Sequence, residues 1–375
     1  MTGCRTRVLV VGNDWPYFIS HRLPLVLALA HEGYDLHLAL PRSHARATMI
    51  PESLTLHYIH LARGGLNPFG ELRTMGSLLR LYRRVRPDLV HHFTIKPVLY
   101  GGAAGRLCGV PSVINSMTGL GTLFASPDRA MRLLKKMVVP AMHYACSGNR
   151  TTTTFQNDQD RERFVRLGIT SEASSVVIRG SGVDTGVFLP SPEPTGVPIV
   201  AFPSRLLWDK GLREFVEAAR LLRANKVVAR FVLVGGMDPN VTSVDERQLK
   251  DWQDEGVVEL WGHATDMPDI FRRIHVACLP SYHEGLPRVL LEAASSGRPI
   301  VATDIPGCRD VVHDGENGFL VPVRDSIALA GAIRRLVDDR ELRAGMGRRG
   351  REIVEQEFAL PIVAEAFARL YRAVA

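Results

Sequence analysis

Short apolar runs rich in β-branched residues recur along the first half of the chain, separated by segments with the spacing of amphipathic helices. Helical segments such as HRLPLVLALAHEGY and FGELRTMGSLLRLYRRVRP repeat apolar residues three and four positions apart. The runs predicted to be strands are RVLVVG, YDLHLAL, LTLHYIHL, DLVHHF, PSVINS, TTTTF and VVIRGSGVD. This alternation predicts a parallel sheet covered by helices on both faces.

A proline-rich stretch, LPSPEPTGVP at residues 189–198, interrupts the alternation and predicts an exposed linker. Strands are predicted again after it in PIVAFPS, ARFVLVGG, GVVELWG, VACLPS and RPIVATD, followed by the helices RELRAGMGRRGREIVEQEF and LPIVAEAFARLYRAVA. We therefore expect an α/β protein with two Rossmann-like doubly wound domains, residues 1–188 and 199–375, facing each other across a cleft. The last helix is a candidate to pack back on the first domain.

The composition is that of an ordinary globular protein, with 46% apolar and 23% charged residues, and excludes a mainly disordered chain. No apolar run approaches the roughly 18 residues of a membrane-spanning helix, and the first residues lack the long apolar region of a signal peptide. The five cysteines, Cys4, Cys108, Cys146, Cys278 and Cys308, show no CxxC spacing. We expect neither disulfides nor a zinc site, and a reducing, cytoplasmic location.

The net charge of +7 is distributed unevenly. Residues 1–188 hold 22 Lys and Arg against 12 Asp and Glu, a net charge of +10, whereas the remaining residues hold 24 against 27, a net charge of −3. A basic half beside a mildly acidic half indicates that one domain faces something anionic. Nucleic acid, anionic lipid and a phosphorylated substrate all satisfy that condition.

Two common nucleotide-binding patterns are missing. The turn after the first strand reads GNDWPYF and the second domain starts FPSRLLWDKG, so neither has the G-x-G-x-x-G string that seats a pyrophosphate on a helix N-terminus. A P-loop is absent as well. The sequence therefore disfavours an NAD-dependent enzyme.

The stretch SYHEGLPRVLLEAASSGRPIVATDIPG, residues 281–307, carries the most specific pattern. We expect Glu284 at a loop–helix junction and Glu292 about two turns inside the helix. The helix N-terminus suits a phosphate, and Glu292 can accept two hydrogen bonds from a ribose diol. Taken singly, the two residues are better explained as a helix-start carboxylate and a solvated one, but the whole string indicates a ligand site.

The string EGLPRVLLEAASSGRPIVATDIPGCRDVVHDGENGFLV closely resembles the retaining glycosyltransferases of family four, which have the two-domain GT-B fold. The resemblance spans nearly the whole chain, through RPDLVHHF, GVDTGVF, SRLLWDKG, LVGG and WGHATDMPDIFRRIHVACLPS. FISHRLP and HHFTIKPVLYGG resemble a subset that builds bacterial surface glycans, where the acceptor is often a sugar on a polyprenyl diphosphate.

The resemblance implies three catalytic residues. Arg205 and Lys210 resemble the basic pair at the donor diphosphate, and two such cations can neutralise a leaving nucleotide without a metal. Glu284 resembles the carboxylate that contacts the transferred sugar. The residues implied in donor binding are Glu292 at the ribose, Gly285, Leu286 and Arg288 at the phosphate, Gly262, His263 and Thr265 at the base, and Gly12 and Asn13 from the first domain. The donor is a co-substrate, a UDP-sugar, and no cofactor is expected.

The first domain is expected to bind the acceptor. Its segment NSMTGLGTLF, residues 115–124, follows a strand and is rich in Gly, Thr and Asn. Where many relatives carry a His after this strand, the present sequence has Ser116, Met117 and Thr118, so no catalytic residue is assigned here. The residues predicted to contact the acceptor are His21, Arg22, His92, Thr94, Lys96, Thr118 and Gly119, whereas a core position is preferred for His91.

Residues 127–145, PDRAMRLLKKMVVPAMHYA, form a predicted helix with a basic face and an apolar stripe. Arg132, Lys135 and Lys136 are among its basic residues. Such a helix can lie on an anionic membrane, or it can pack on the sheet with its basic face in solvent. A lipid-linked acceptor and the basic first half favour the membrane.

Asp158-Gln159-Asp160 matches the D-x-D metal signature of the other large glycosyltransferase fold. It follows the strand TTTTF and opens a helix, where Asp is favoured as a cap and in the first turn. We interpret it as structural and expect a metal-independent enzyme.

The predicted function is retaining transfer of a sugar, with N-acetylhexosamine among the candidates, from a UDP-sugar to a polyprenyl-diphosphate-linked saccharide in bacterial polysaccharide or glycoprotein glycan synthesis. The enzyme is expected in the cytoplasm, peripheral on the inner face of the membrane, without nucleic acid as a partner. Two alternatives remain: a nucleotide-sugar epimerase on a similar scaffold, and a non-enzymatic nucleic-acid-binding protein.

Overall fold

In a computed structural model of the chain, the strand–helix alternation divides into two units. Unit 1 comprises residues 1–182 and 360–375, and unit 2 comprises residues 183–359. The structure describes residues 5–42, 50–61, 67–119, 129–237 and 242–374, and only the backbone of residues 129–133.

The described part of unit 1 contains one parallel sheet. Its strands are β1 (Arg7–Val11), β2 (Asp35–Pro41), β3 (Thr55–Ile59), β4 (Leu89–Phe93), β5 (Ser112–Met117), β6 (Thr151–Phe155) and β7 (Ser175–Val177). They are arranged in the order β3-β2-β1-β4-β5-β6-β7. The central strand β4 is buried at every position, because helices pack on both faces of a parallel sheet.

Helices of unit 1 connect these strands. Their bounds are α1 (Trp15–Tyr17), α2 (Leu23–Ala30), α3 (Pro68–Val85), α4 (Gly102–Leu107), α5 (Arg129–Cys146) and α6 (Asp158–Arg166). Two π-helical turns, Phe18–Arg22 and Pro97–Gly101, precede α2 and α4. The start of α3 follows local rules, since the Asn67 side chain accepts a hydrogen bond from the backbone N–H of Phe69 and Pro68 occupies the first turn.

Unit 2 has a second parallel sheet. Its strands within the described residues are β8 (Ile199–Pro203), β9 (Arg230–Val234), β10 (Glu259–Gly262), β11 (Val276–Leu279), β12 (Ile300–Thr303) and β13 (Gly318–Val321), in the order β10-β9-β8-β11-β12-β13. Strand β13 was not among the predicted strands. Its run, GFLV, directly follows the turn-like sequence HDGEN and begins with Gly318, a residue type depleted in strands.

Helices of unit 2 pack on both faces of this sheet. Their bounds are α7 (Leu212–Ala224), α8 (Glu246–Asp254), α9 (Met267–Arg273), α10 (Arg288–Ser295), α11 (Pro306–Arg309), α12 (Ser326–Asp338) and α13 (Arg340–Ile353). A 3₁₀ turn, Trp208–Lys210, leads into α7, and a π-helical turn, Val354–Phe358, follows α13. Two large apolar clusters lie between helices and sheet.

The proline-rich stretch 189–198 belongs to unit 2 in the structure and is bound to its body. The Arg343 guanidinium donates to both carboxylate oxygens of Glu193 at 2.8 and 2.6 Å. His275 Nε2 bonds the Pro194 carbonyl at 3.0 Å, and the buried Arg298 donates to the Pro192 carbonyl at 3.3 Å. The stretch is exposed over much of its length, as predicted, but it does not link the two units, which divide at residues 182/183 and 359/360.

The last helix, α14 (Leu360–Val374), belongs to unit 1. Its Val363, Phe367 and Tyr371 side chains are buried in the apolar cluster on one face of that sheet. The Tyr371 hydroxyl also hydrogen-bonds His91 Nδ1 on β4 at 2.6 Å. An apolar stripe and one buried polar contact thus attach α14 to the sheet.

Within the described residues, we find no helix with the length and apolar character needed to cross a bilayer.

Candidate active site

Loops that follow four strands of unit 2 meet at the carboxyl edge of its sheet. The backbone N–H of Gly235, after β9, donates to the carbonyl of Gly262, the last residue of β10, at 2.8 Å. The N–H of Tyr282, after β11, donates to the carbonyl of Asp209, after β8, at 2.9 Å. This edge is where open parallel sheets bind ligands.

Two glycines allow these loops to touch. A Cβ on Gly211 would lie 1.9 Å from the Pro280 carbonyl oxygen, and Gly211 also has a φ of +76°. A Cβ on Gly235 would lie 1.9 Å from the Ser204 carbonyl oxygen. No other residue type fits either contact, so the close approach of the loops is set by these positions.

Lys210 and Glu284 form an ion pair at this edge. Lys210 ends the 3₁₀ turn after β8, and Glu284 lies in the loop after β11. Lys210 Nζ is 2.6 Å from Glu284 Oε1, and the two side chains are only 16% and 13% exposed. The structure therefore brings together two of the three predicted catalytic residues. The third, Arg205, lies exposed on the same β8 loop.

Glu292 forms a second ion pair with Arg288 on the first turn of α10. Arg288 Nε donates to Glu292 Oε1 at 2.8 Å, and Glu292 is 9% exposed. Burial raises the pKa of the Glu292 carboxyl, with Arg288 acting in the opposite direction. The described residues provide no hydrogen bond to Oε2, which leaves an acceptor for a hydroxyl. Glu292 is thus neither solvated nor two turns into the helix, because α10 begins only at Arg288.

The start of α10 has free backbone donors. Pro287 occupies the N-cap position with φ −74° and ψ 100°, and no side chain caps the helix. The first N–H groups of a helix have no acceptor within it, and they carry the positive end of its dipole. The N–H groups of Arg288 and Val289 are therefore suited to an anion next to the ion pairs. Leu286, by contrast, has a buried side chain in the apolar cluster.

The floor of the site is the short helix α11, which sequence reasoning did not single out. A Cβ on Gly307 would lie 2.5 Å from the Gly285 carbonyl oxygen and 2.7 Å from that of Glu284. The neighbouring Cys308 thiol is buried, and burial, assisted by the Glu284 charge, raises its pKa well above the ordinary range. In the sequence, the glycine of IPG was the one mark of this position. Its contacts with Glu284 and Gly285 depend on the three-dimensional structure.

The predicted base-binding residues lie at the end of β10 and on the loop that follows it. Gly262 has a φ of +72°, and His263 and Thr265 are exposed. A Cβ added to Gly236 would lie 3.4 Å from the Cβ of His263, so the loops after β9 and β10 pack side by side. The loop ends where Asp266 caps α9. These residues share the sheet edge with the ion pairs.

In unit 1, Gly12 and Asn13 follow β1. The Gly12 N–H donates to the Ala39 carbonyl at 3.0 Å, and a Cβ would approach Leu40 and Phe18 to 2.9 Å. Gly12 is buried and Asn13 half-buried. Packing of the β1 loop therefore accounts for the glycine, and contact of these two residues with a donor stays a prediction.

Arg22 was predicted to contact the acceptor, but its side chain is enclosed within unit 1. It lies in the π-helical turn before α2 and is only 2% exposed. Its guanidinium donates to the Tyr17 hydroxyl at 2.9 and 2.7 Å and covers the Phe93 ring at 4.6 Å. A side chain enclosed in this way does not reach an acceptor. Its neighbour His21 is half-buried and stacks on Tyr17 at 4.7 Å.

His92 was also predicted to contact the acceptor, and its side chain is buried as well. Its ring is fully buried between Tyr82 and Asn115, with hydrogen bonds of 2.7 Å on both nitrogens. Burial lowers its pKa to about 4, so the ring is neutral. Alternation along a strand brings a residue to the surface only when one face is exposed, and both faces of β4 are covered. The core position preferred for His91 is confirmed.

The remaining acceptor predictions lie beyond β4 and β5. Thr94 has a φ of +78°, and within the described residues its buried hydroxyl has no hydrogen-bond partner. Lys96 Nζ donates to Glu71 at 2.7 Å. Thr118 and Gly119 are half-buried. The rest of the predicted segment, residues 120–124, lies outside the described residues, as does the side chain of Arg132.

Asp158 and Asp160 lie in the first turn of α6. The helix is capped by Asn157, whose side chain accepts from the Asp160 N–H at 2.8 Å. The D-x-D string therefore has a structural place at a helix start. Among the described residues, no group of three or more His, Cys, Asp or Glu side chains has the geometry of a metal site.

Comparison with known families and proteins places this geometry in context. Residues 197–339 match the family described as Glycosyl transferases group 1, and residues 7–157 match Glycosyl transferase 4-like. An N,N'-diacetylbacillosaminyl-diphospho-undecaprenol alpha-1,3-N-acetylgalactosaminyltransferase of Campylobacter jejuni is 25% identical over 375 residues, covering 94% of this chain and 97% of that protein.

Two further similarities extend over most of the chain. A UDP-Gal:alpha-D-GlcNAc-diphosphoundecaprenol alpha-1,3-galactosyltransferase of Escherichia coli is 24% identical over 327 residues, covering 84% of this chain and 83% of that protein. The structure of sucrose-phosphate synthase from Thermosynechococcus elongatus superimposes with a TM-score of 0.79 at 19% identity, covering 99% of both chains. This last similarity concerns the fold.

Proposed function

The chain belongs to the glycosyltransferases with group 1 and 4-like domains and has the GT-B fold, and on that premise we propose a specific reaction for it. The enzyme transfers a hexose or N-acetylhexosamine from a UDP-sugar to a saccharide carried on a polyprenyl diphosphate, with retention of configuration. The names of the Campylobacter jejuni and Escherichia coli relatives, which act on diphospho-undecaprenol-linked sugars, support this choice of acceptor. The two matching families and the relatives described above are glycosyltransferases, and they do not support the epimerase or the nucleic-acid-binding alternative.

The proposal rests on two ion pairs, Lys210–Glu284 and Arg288–Glu292, at the carboxyl edge of the unit 2 sheet. Lys210 and Glu284 lie 2.6 Å apart, and the uncapped start of α10 with Glu292 is on the same loop–helix segment as Glu284. A diphosphate needs cations and N–H donors, a ribose needs a carboxylate acceptor, and a sugar needs a polar contact beside them. These groups are available together here.

In the proposed reaction, the acceptor hydroxyl oxygen forms a bond to the anomeric carbon while the bond from that carbon to the diphosphate oxygen breaks. Attack and departure take place on the same face of the sugar, so configuration is retained. The hydroxyl proton passes to the leaving diphosphate. Lys210, Arg205 and the start of α10 stabilise the charge that develops on the diphosphate, and no metal is required.

Transfer assays in EDTA-containing buffer test this function. We expect UDP release and a lengthened glycan when the enzyme receives a UDP-sugar and a polyprenyl-diphosphate saccharide. Glu284→Ala should reduce kcat by at least about a hundredfold, because it removes a charged group at the reacting sugar. Glu316→Ala, at a carboxylate more than half exposed and on another loop, is the matched control.

The assay also separates the alternatives. Conversion of a UDP-sugar to its epimer without any transfer would contradict the proposal. Wild-type turnover in Glu284→Ala, or a strict requirement for manganese, would contradict the roles assigned to the residues.

We further propose that unit 1 binds an anionic membrane surface, which would bring a lipid-linked acceptor to the enzyme. Two exposed helix faces support this. Helix α3 presents Phe69 and Leu72, 77% and 70% exposed, beside Arg73. Helix α5 presents Lys136 next to Met137, which is 72% exposed. Apolar side chains flanked by cations favour the interface of an anionic bilayer.

A further inference from the structure

Tyr282 and Glu214 connect the two loops that carry the Lys210–Glu284 ion pair. The Tyr282 hydroxyl donates to the Glu214 carboxylate at 2.8 Å to Oε1 and 2.9 Å to Oε2. Tyr282 precedes Glu284 by two residues, and Glu214 lies in the first turn of α7, four residues after Lys210. This hydrogen bond therefore joins the same two segments as the ion pair. It lies two residues from Glu284 in one segment and four residues from Lys210 in the other.

Backbone contacts hold the inner parts of these segments. The Tyr282 N–H donates to the Asp209 carbonyl at 2.9 Å, and Gly211 packs directly on the Pro280 carbonyl. Lys210 lies between the two backbone contacts of its loop, at Asp209 and Gly211, and Glu284 lies two residues beyond Tyr282. The Tyr282–Glu214 hydrogen bond adds a side-chain contact between the same two segments, beside a longer one from Ser281 Oγ to the Asp209 carbonyl at 3.4 Å.

The contact has the properties of a strong, permanent hydrogen bond. Glu214 is only 6% exposed, and a buried carboxylate without a donor is costly. Burial and the adjacent Glu214 raise the pKa of Tyr282 to about 12, so its hydroxyl remains a donor at every physiological pH. The Arg324 guanidinium lies 4.7 Å over the Tyr282 ring and covers it from outside.

We propose that Tyr282 and Glu214 are positioning residues for catalysis. Their hydrogen bond keeps the β8 and β11 loops in the arrangement in which Lys210 and Glu284 meet, and it acts on the reaction only through that pair. The proposal rests on the function assigned to Lys210 and Glu284 above. It assigns no substrate contact to Tyr282 or Glu214.

Kinetics of three variants form the first test. We expect Tyr282→Phe and Glu214→Ala to lower kcat about tenfold, because a small displacement of a catalytic group is enough for such a loss. The donor KM should change less than about twofold, because Glu292 and the start of α10 are not involved. Glu214→Gln retains an acceptor for the tyrosine hydroxyl, so it should restore most of the activity.

Ser326→Ala is the matched control. Ser326 Oγ donates to Glu217 Oε2 at 2.7 Å, so this variant also removes a hydroxyl–carboxylate hydrogen bond to α7, but away from the two loops. It should have the kcat of the wild type. Equal losses in Ser326→Ala and Tyr282→Phe, or wild-type kcat in Tyr282→Phe, would overturn the proposal.

A second measurement does not depend on transfer. Acetic anhydride labels accessible lysine amines, and mass spectrometry reports the labelling rate of each lysine. In Tyr282→Phe we expect Lys210 to label at least about threefold faster, since its partner loop is no longer held. The rate at Lys250, whose side chain is 71% exposed on α8, should stay the same.

The two measurements separate the possible failures. An unchanged labelling rate at Lys210 overturns the positioning role whatever the enzyme transfers. Faster labelling in an enzyme whose wild type transfers no sugar supports the link between the loops and instead refutes the reaction assigned to Lys210 and Glu284.

Discussion

Lys210 and Glu284 are partners in the structure and are expected to act on different parts of one donor. The Lys210 ammonium lies 2.6 Å from the Glu284 carboxylate, which lowers the cost of leaving both charges mostly buried. An arriving diphosphate offers Lys210 a second anion of higher charge. In the proposed reaction, Glu284 then uses its other oxygen for the sugar, so we expect the pair to act both before and during the reaction.

Gly307 packs against the backbone of Glu284 and Gly285, so a larger residue at this position should displace the loop that carries Glu284. Gly307→Ala would bring a Cβ to 2.5 Å from the Gly285 carbonyl and 2.7 Å from that of Glu284. The loop must shift, so we expect kcat to fall about a hundredfold, measured by UDP release. Gly331→Ala, on α12 with no atom within 4 Å of the added Cβ, is the control.

That control should have wild-type kcat, and helix propensity should make it at least as stable as the parent. Full activity in Gly307→Ala would show that the position of Glu284 does not depend on α11. A loss of folding in Gly307→Ala would be seen in its circular dichroism and would be distinguished from a catalytic loss by that measurement.

Some residues of the site could be predicted from the sequence alone, and others could not. Glu284, Glu292 and Lys210 stand in strings with a specific order, so their shared location at one sheet edge was predictable. Tyr282, Glu214 and Gly307 act through contacts between loops far apart in sequence, and no local pattern marks such contacts. His92 and Arg22 were assigned to the surface because each follows or lies near a strand end, yet burial encloses both.

At the scale of elements, the alternation of apolar runs identified every described strand except β13, because a buried parallel strand is a short apolar run in sequence. The starts of helices were less predictable. Pro287 is the N-cap of α10, so the helix begins at Arg288 and Glu292 lies only about one turn from its start. The stretch 189–198 has the composition of a linker, but Glu193 provides a carboxylate for the buried Arg343, a long-range contact that composition does not reveal.

The histidines of the unit 1 sheet lead to a prediction of pH dependence. Burial lowers the pKa of His92 on β4 to about 4, and burial together with His37 and Arg84 lowers that of His57 on β3 to about 4. The unfolded chain binds protons at these groups below a pH of about 6.5 and the folded chain does not. Stability is therefore fully present above pH 6.5 and is lost as the pH falls towards 4.

Urea unfolding between pH 7 and pH 4.5 measures this effect. For fully buried His92 alone, the shift corresponds to about 3 kcal/mol when protonation of the unfolded state is complete. Carboxyl groups with lowered pKa values, such as Asp35, titrate mainly below this range. His57→Gln should have a weaker pH dependence than the wild type. A free energy of unfolding that is constant or rises as the pH falls would contradict the prediction.

At the scale of the whole molecule, the charge asymmetry has two separate explanations. In the proposed reaction, unit 2 binds the diphosphate with a few placed groups, Lys210, Arg205 and the start of α10, and needs no net positive charge for that. The excess of cations lies in residues 1–188 instead and is distributed along that part of the chain. A distributed positive charge attracts an extended anionic surface more than a single ligand.

Membrane binding by unit 1 is therefore predicted to depend on the apolar residues of α3 as well as on charge. Phe69→Ser with Leu72→Ser should reduce co-sedimentation with vesicles containing phosphatidylglycerol at least about tenfold, because both side chains would leave the acyl region. Val228→Ser with Ile327→Ser is a matched pair, since these residues of unit 2 are 70% and 78% exposed. That pair should sediment like the wild type.

Salt and lipid charge identify the cause of any binding. Binding through cations beside apolar side chains should weaken in neutral vesicles and at high ionic strength, whereas transfer to a short-chain, soluble diphosphate acceptor should be the same in both α3 and control variants. If the α3 variant sediments like the control pair, the membrane contact of α3 is refuted. If charge reversal at Lys135 and Lys136 alone abolishes binding under those conditions, α5 is the membrane contact. Loss of transfer to the soluble acceptor in the α3 variant would indicate instead that α3 shapes the acceptor site itself, independently of any bilayer.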